Sequence, residues 1–177
     1  MMTLSWLRFE WELGKIPAEE LDVPSPFVLR RAEKDDHEAV QKVVTNAFSM
    51  DTGWSDIQRT FGGIIVRNVD AGFEADPPDC VVIQHGNRII AASILNPNEG
   101  ADNHLRTGPC VLQEYRGRGL GTFLQRASLV ALRDAGLARA FGVTREKSTA
   151  ARFVYPKFGG TGGRWMPDFE VAQKIAA

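Results

Sequence analysis

The stretch Arg116-Gly117-Arg118-Gly119-Leu120-Gly121 places three glycines at alternate positions and adds two arginines. A short apolar run, residues 110–112, precedes it, and a long amphipathic segment follows without a break. Glycine lets the backbone turn sharply and bring its N–H groups close to a ligand. Arginine adds fixed positive charge, and the start of a helix adds unpaired N–H donors and a positive dipole end. The stretch therefore predicts a receptor for a phosphorylated anion, in particular a pyrophosphate.

The segment after the glycines has the period of an amphipathic helix. Its apolar residues recur at three- and four-residue spacing and are expected on one face: Leu120, Phe123, Leu124, Ala127, Val130 and Ala131. Gly136 stands where a left-handed residue ends a helix, with Leu137 in position to contact Leu132 one turn back. The glycines therefore lie between a predicted strand and a predicted helix N-terminus, which is the context that anion binding requires.

A solvated loop with two surface arginines is the alternative interpretation, and the spacing alone leaves it open. The third glycine comes one residue too early for the dinucleotide fingerprint G-x-G-x-x-G, and the Gly-Lys-Ser/Thr of a Walker A loop is absent from the sequence. The stretch matches neither of these nucleotide-binding classes.

Composition restricts the class of protein. The 177 residues suit one soluble domain, with 44% apolar and 24% charged residues. The net charge of -1 argues against nucleic acid or a membrane surface as a partner. Cys80 and Cys110 both lie in apolar stretches, which favours buried free thiols over a disulfide. Because the sequence shows neither a signal peptide nor an apolar run near ~18 residues, a cytoplasmic location is expected.

Residues 1–26 are predicted to form an N-terminal arm, made of an extra strand and a proline-rich connector. The strand prediction rests on partial alternation of large apolar residues with charged ones: Leu4, Trp6, Leu7, Phe9, Trp11 and Leu13. These aromatic residues must be covered by the body of the domain or by a second subunit. An edge strand is favoured, and an arm that packs across a homodimer stays open.

Residues 27–177 are predicted to form one α/β domain. Strands are expected at 27–32, 80–84, 88–95, 105–112, 138–144 and after 163, and helices at 36–50, 54–69, 120–135 and 148–157. Asp35 or Asp36 is expected to cap the first helix. Its apolar stripe is predicted to be Val40, Val43, Val44, Ala47 and Phe48. Gly62-Gly63 is expected to interrupt the second helix.

The sequence resembles the GCN5-related N-acetyltransferase (GNAT) superfamily. The family hallmark Arg/Gln-x-x-Gly-x-Gly/Ala is read here as Arg116-x-x-Gly119-x-Gly121. A second family element, Asn-x-x-Ala-x-x-Leu-Tyr-x-x-x-Gly-Phe, is matched in part by Ser148, Ala151, Val154, Tyr155 and Gly159. The order of elements agrees from about residue 27 to the end of the chain. Two motifs in the proper order are more specific than either alone.

The resemblance implies a mixed, mostly antiparallel central sheet of six to seven strands, splayed at an acetyl-CoA cleft and flanked by four helices. The cleft would open between strands 105–112 and 138–144. Backbone groups near Val111 and Gln113 would pair with the pantetheine arm. Backbone amides of residues 116–122 would hold the pyrophosphate, which makes the cofactor-binding residues Arg116, Gly117, Arg118, Gly119, Gly121 and Thr122, with Ser148 as a further contact or a helix cap.

The resemblance also implies the reaction. A primary amine (a small amine, an amino acid or a peptide N-terminus) would attack the thioester of acetyl-CoA directly, and no metal would be needed. A backbone N–H would stabilise the oxyanion. Tyr155 would act as general acid toward the departing thiolate, because its reference pKa of ~10 exceeds the ~8.5 of a thiol. The alternative for Tyr155 is a ring packed under the helix. The alternative functions are a non-catalytic acyl-CoA-binding or sensor module and transfer of a longer acyl group.

Three positions depart from the family pattern. Ser148 replaces Asn, Gly160 replaces an aromatic residue, and Gln113 stands where proline is frequent. The change at Ser148 is expected to weaken a cofactor contact or leave only a helix cap. The change at Gly160 is expected to loosen packing in that corner.

The general base and the acceptor site stay open at this stage. The candidates for the base are water or one of four side chains near the predicted cleft strand: Glu99, Asp102, His104 and Glu114. The acceptor pocket is expected between the first two helices, with apolar walls and a carboxylate for the amine. The candidates for the walls are Phe48, Met50 and Trp54, and those for the carboxylate are Asp51 and Asp56.

Overall fold

Two antiparallel sheets form the framework of the protein. A computed structural model describes residues 5–17 and 22–167, and within them the strands are β1 Trp6–Glu12, β2 Phe27–Arg31, β3 Cys80–His85, β4 Arg88–Ile94, β5 Cys110–Val111, β6 Arg139–Arg145 and β7 Thr161–Trp165. The helices there are α1 His37–Met50, α2 Gln58–Glu74, α3 Leu120–Asp134 and a fourth of one turn, Ala150–Val154. One sheet has the order β2-β3-β4-β5 and the other β6-β1-β7. This confirms the predicted mixed α/β class. The predicted residue Leu4 and the part of the chain after 167 lie outside the described residues.

Helix α1 forms as its pattern predicted. All five residues of the predicted stripe are buried, and the helix packs on β4 and β5. Asp36 stands at the N-cap of α1, but its side chain makes no cap hydrogen bond to that helix, so the predicted cap is wrong; its carboxylate instead accepts the amide of Glu33 at 2.7 Å and pairs with Arg30 at 2.7 Å. Because its apolar face lies against β5, α1 brings its C-terminal end close to the glycine-rich stretch.

Helix α2 differs from its prediction. It begins at Gln58 and continues without a break through Gly62 and Gly63 to Glu74, while Thr52–Trp54 is a separate turn. The continuous face that holds it is buried: Phe61, Ile65, Val69 and Phe73. Burial of that face outweighs the cost of about 1 kcal/mol for each glycine in a helix.

Helix α3 keeps its predicted ends but turns a different face to the core. Gly136 has φ 105, its amide donates to Arg133 at 2.9 Å, and the amide of Leu137 donates to Leu132 at 3.2 Å, which confirms the predicted cap. The fully buried apolar residues are Leu120, Leu124, Leu129 and Leu132, whereas Phe123, Ala127, Val130 and Ala131 are partly buried. The buried face of α3 is therefore rotated relative to the predicted stripe, because residues 13–17 also cover this helix.

Strand β1 is the middle strand of its sheet, so the favoured edge-strand interpretation is wrong. It pairs with β6 on one side and with β7 on the other. Trp6, Phe9 and Trp11 are all buried within the same chain. Alternation alone predicted the strand but not its second partner, because β7 lies far away in the sequence. The boundary at residue 26 and the homodimer stay predictions.

Trp11 explains why glycine stands at position 160. The Trp11 Nε1 donates to the carbonyl of Lys157 at 3.1 Å. A Cβ atom on Gly160 would overlap the carbonyl oxygen of Tyr155 and lie 2.5 Å from that same Nε1. The indole thus fills the corner in which an aromatic residue was expected, and the prediction of loose packing there is wrong.

The chain changes sheets between residues 105 and 110, and this change creates the opening for the site. The amide of His104 donates to the carbonyl of Phe141 on β6 at 2.8 Å. By Val111 the chain instead pairs with Ala91 on β4. The predicted strand 105–112 is therefore reduced to β5, with Gly108 (φ 64) in the turn between. This divergence of β5 from β6 is the predicted splay. No helix among the described residues is long and apolar enough to cross a membrane.

Candidate active site

A cleft of about 320 Å³ opens between β5, the end of β6, the start of α3 and the short helix Ala150–Val154. Six of the predicted cofactor residues line it: Val111, Arg116, Gly117, Gly119, Gly121 and Thr122. A Cβ atom on Gly121 would lie 3.7 Å from Val154 and 4.0 Å from Val111. The first turn of α3 therefore lies between the two valines.

The glycine-rich stretch leaves a row of backbone donors unused. Gly117 and Gly119 both have φ 77, and Gly119 stands at the N-cap of α3. Among the described residues, no acceptor binds the amides of residues 117–121. The amide of Arg116 donates to Gln113 at 3.3 Å and that of Thr122 to Gly119 at 3.2 Å. The predicted run of seven amides is thus reduced to five. Consecutive free amides at a helix start form an anion site.

The two arginines of the stretch have different environments. Arg116 lines the cleft, and its guanidinium donates to the carbonyls of Val111 at 3.5 Å and Ala47 at 3.3 Å, which joins α1 to the loop. Arg118 is exposed and does not line the cleft, and its Cζ lies 5.3 Å from the centre of the Tyr115 ring. Of these two arginines, only Arg116 therefore brings its charge to the cleft.

Lys157 is a cleft residue that the sequence analysis missed. Its Nζ donates to the hydroxyl of Thr122 at 2.8 Å, and both residues line the cleft. The sequence pattern gave Lys157 no role beyond the end of a short helix. The signal that was available is its position two residues after Tyr155, which puts it across from the start of α3.

Tyr155 is a buried ring, as one of the two interpretations expected, and it is not among the residues that line the cleft; its role as general acid stays a prediction. Its ring is buried against Trp11 at 5.1 Å and Phe9 at 5.4 Å between ring centres, with 1% of the residue exposed. Its hydroxyl lies against Gly108, where a Cβ atom would overlap it. Burial, aided by the nearby Cys110, raises the pKa of Tyr155 well above its usual value. The hydroxyl therefore stays protonated and faces the turn at which β5 leaves β6.

Cys110 lines the cleft but is not a nucleophile near neutral pH. Burial raises the pKa of its thiol to about 12. A buried thiol of this kind is unreactive, since the thiolate is the nucleophilic form. Cys110 and Cys80 are both free and buried, as the sequence predicted.

Ser148 and Gln113 do not reach the cleft. Ser148 is fully buried, its hydroxyl accepts the amide of Ala151 at 3.1 Å, and it shares a 2.8 Å hydrogen bond with Thr144. It therefore acts as the cap of the short helix. Gln113 is exposed, and its carbonyl already accepts the amide of Arg116.

His104 is a structural histidine. Its Nδ1 accepts the amide of Phe141 at 2.9 Å, so the proton must be on Nε2, which donates to the carbonyl of Asn98 at 3.0 Å. Burial lowers the pKa of His104 below its usual value. Both ring nitrogens are engaged, which removes His104 from the candidates for the base.

The three acidic candidates for the base also differ in position. Glu114 pairs with Arg88 at 3.0 Å on the surface. Glu99 is exposed and lines neither of the cavities described here. Asp102 lines a second cavity beside the cleft. Of these three candidates, only Asp102 lines one of the two cavities.

The carboxylates proposed for the amine are already bound. Asp51 accepts the amides of Gly53 and Thr149, both at 3.0 Å, and so fastens the turn Thr52–Trp54 to the start of the short helix Ala150–Val154. Asp56 pairs with the buried Arg145 at 2.6 Å. Each carboxylate oxygen can accept more than one hydrogen bond, and Asp51 lines the cleft while 44% of the Asp56 side chain is exposed, so their role toward the amine stays a prediction.

The predicted apolar walls are present in part. Phe48 and Trp54 pack edge to face with ring centres 4.6 Å apart, and both line the cleft. Met50 is 49% exposed and lies outside it. The second cavity, of about 230 Å³, shares Phe48, Trp54 and Thr107 with the cleft. The two cavities therefore meet at these three residues.

The comparison with known families identifies the chain. The Acetyltransferase (GNAT) family matches residues 45–160, a segment that includes the glycine-rich stretch, the cleft and Tyr155. The chain belongs to this family. Acetyl transfer from an acyl-CoA co-substrate is the general activity that membership supports. Among the described residues, no three His, Cys, Asp or Glu side chains lie together as metal ligands.

Solved structures share the fold at low identity. A Drosophila protein has a TM-score of 0.61 and 15% identity over 92% of this chain and 50% of its own. A GCN5-related N-acetyltransferase from Sphaerobacter thermophilus has a TM-score of 0.60 and 16% identity over 91% of this chain and 49% of its own. A GNAT-family acetyltransferase from Colwellia psychrerythraea has a TM-score of 0.58 and 18% identity over 92% and 54%. The chain thus spans about half the length of these proteins. A comparison with curated proteins finds no match.

Proposed function

We propose that the protein transfers an acetyl group from acetyl-CoA to a primary amine. The observation that carries the proposal is the row of five unused amides, residues 117–121, at the start of α3 and on the wall of the cleft. A diphosphate would accept from these donors at the positive end of the helix dipole. The charges of Arg116 and Lys157 line the same cleft.

The pantetheine arm would then run from this loop toward the turn at Gly108. Val111 and Val154, on either side of Gly121, would contact the arm. Its thioester would lie by Gly108, next to the hydroxyl of Tyr155. This path connects the anion site to the place where the two cavities meet.

In the transfer step, the amine nitrogen attacks the carbonyl carbon of the thioester. The C–N bond forms, the C–S bond breaks, and the electron pair leaves on the sulfur of CoA. The proton released by the nitrogen passes to water or to Asp102. Because burial raises the pKa of Tyr155, its hydroxyl stays protonated and serves as a hydrogen-bond donor to the departing sulfur, which leaves as a thiolate and takes its proton from water.

Free-thiol release from acetyl-CoA, measured with a mixed panel of primary amines, tests the proposal. Tyr155→Phe should lower kcat by about 100-fold or more while the Kd for CoA, measured by calorimetry, stays the same. Bound CoA without thiol release from any amine would favour a non-catalytic acyl-CoA module instead. An unchanged kcat in Tyr155→Phe would remove Tyr155 from the reaction.

A further inference from the structure

The second cavity differs in character from the cleft that it adjoins. Aromatic rings form much of its wall: Trp6, Phe48, Trp54, Phe61 and Trp165. Polar side chains also line it: Asn68, Asp102, Asn103, Arg106 and Thr107. Its volume of about 230 Å³ lies below the ~300–1,000 Å³ of most ligand pockets, so it suits one small molecule.

The aromatic wall is held in place before any ligand arrives. Trp54 stacks on Phe61 with ring centres 4.7 Å apart. The neighbouring Gly53 packs backbone to backbone, since a Cβ atom there would lie 2.6 Å from the Cα of Ser148. Asp51 adds the two hydrogen bonds described above. A rigid wall of this kind binds an apolar group with little loss of conformational freedom.

The opposite wall is braced by Arg8. Its Cζ lies 3.7 Å from the centre of the Phe141 ring and 4.4 Å from that of Trp165, so the guanidinium is held between two rings. Asp102 lies 3.9 Å from Arg8, with 63% of its side chain exposed. Trp165 is therefore fixed, while the carboxylate of Asp102 is open to solvent and to a ligand.

Arg106 supplies a positive charge that the protein itself does not neutralise by contact. Its Nε is buried and has no hydrogen-bond partner, and Arg106 forms no ion pair with any of the described residues. Asp79 and Glu74 act on it electrostatically without a contact, and Asp79 is bound to Arg31 at 3.2 Å. A half-buried guanidinium without an ion pair is stabilised when a carboxylate binds it, and the two groups then form two parallel hydrogen bonds.

We propose that this cavity binds the acceptor, and that the acceptor is an α-amino acid with a large apolar, ring-bearing side chain. This inference rests on the acetyl transfer proposed above. The α-carboxylate binds Arg106, and the side chain lies among the rings. Amine and carboxylate share one carbon, and Thr107 lines both cavities, so an amine beside Thr107 lies where the cavity meets the cleft. Asp102 is placed to receive the proton of the amine.

The charges in the cavity argue against other amines. A polyamine or a basic side chain would bring a second positive charge toward Arg106. An arylalkylamine would fill the aromatic wall but leave Arg106 without a carboxylate. A small amino acid would satisfy Arg106 but leave the aromatic wall unfilled, which forfeits about 25 cal/mol for each Å² of apolar surface left unburied.

The test measures kcat/KM for thiol release with L-phenylalanine, 2-phenylethylamine and L-alanine at saturating acetyl-CoA. The kcat/KM for L-phenylalanine should exceed that for each of the other two amines by at least tenfold. Arg106→Gln should lower kcat/KM for L-phenylalanine to the value found with 2-phenylethylamine. It should leave kcat/KM for 2-phenylethylamine within twofold of its value in the unaltered protein. Arg67→Gln, on the exposed face of α2, is the matched control and should change neither of these two kcat/KM values.

Three results would overturn the inference. If L-alanine or 2-phenylethylamine reacts as well as L-phenylalanine in the unaltered protein, the acceptor class is wrong while acetyl transfer still stands. If Arg106→Gln lowers all three values equally, Arg106 does not bind a carboxylate. If no amine releases thiol although CoA binds, the proposed function fails, and this inference fails with it.

Discussion

Replacing Gly108 by alanine tests the placement of the Tyr155 hydroxyl. A Cβ atom at position 108 would overlap that hydroxyl, and the residue has φ 64, a conformation that alanine adopts only at a cost. Overpacking costs about 1–3 kcal/mol and the left-handed backbone about 1–2 kcal/mol. Gly108→Ala should therefore lower the free energy of unfolding by about 2–5 kcal/mol.

A second substitution separates the two costs. In Tyr155→Phe the hydroxyl is gone, and the atom nearest to a Cβ at position 108 becomes the Cζ at 3.2 Å, which a small shift accommodates. Gly108→Ala should then cost only the backbone part, which gives a coupling energy of about 1–3 kcal/mol between the two sites. Urea unfolding of both single variants and the double variant, followed by circular dichroism, provides the cycle.

Gly86→Ala is the matched control for the backbone cost. Gly86 has φ 59, but a Cβ atom there meets nothing within 4 Å. Gly86→Ala should lower the free energy of unfolding by about 1–2 kcal/mol and show no coupling energy with Tyr155→Phe. If Gly108→Ala costs no more than Gly86→Ala, or if its effect simply adds to that of Tyr155→Phe, the hydroxyl does not lie against Gly108 and the position of the hydrogen-bond donor is wrong.

Three further predictions concern the cleft, the buried histidine and the Trp11 corner. Lys157→Gln should weaken CoA binding by about fivefold in calorimetry, since it removes a partly screened charge from the cleft, whereas Lys42→Gln on the exposed face of α1 should not. Because burial lowers the pKa of His104 below its usual 6.5, the unfolded chain binds more protons below that pH; the free energy of unfolding should fall as the pH drops below 6.5, and less steeply in His104→Gln. Gly160→Ala should lower the free energy of unfolding by about 2 kcal/mol or more through overlap with the carbonyl of Tyr155 and the indole of Trp11, while Gly163→Ala, which meets nothing within 4 Å, should change it by less than about 0.5 kcal/mol. In each of these three comparisons, an equal effect in the two proteins compared would contradict the placement of Lys157, His104 or Gly160 on which the prediction rests.

The elements that the sequence predicted well are those held by local rules. The stripe of α1 and the cap at Gly136 follow from periods and end signals within a few residues. The glycine-rich loop was predicted for the same reason, since the spacing of its glycines sets where the backbone can turn.

The features that were missed depend on partners far away in the sequence. The second neighbour of β1 is β7, and the face of α3 is set by residues 13–17, so periodicity could give neither. His104 looked like a possible base until its two ring nitrogens were found bound to Phe141 and Asn98. Lys157 reaches the cleft only because the short helix lies across from the start of α3.

Amide signals of ¹⁵N-glycine-labelled protein test the central claim most directly. On titration with CoA, the signals of Gly117, Gly119 and Gly121 should move strongly, while those of Gly86 and Gly163 stay in place. Pantetheine, which lacks the diphosphate, should leave the signals of Gly117 and Gly119 nearly unchanged. If CoA binds and the three signals do not move, the amides at the start of α3 do not hold the diphosphate, and the proposed cleft loses its anchor.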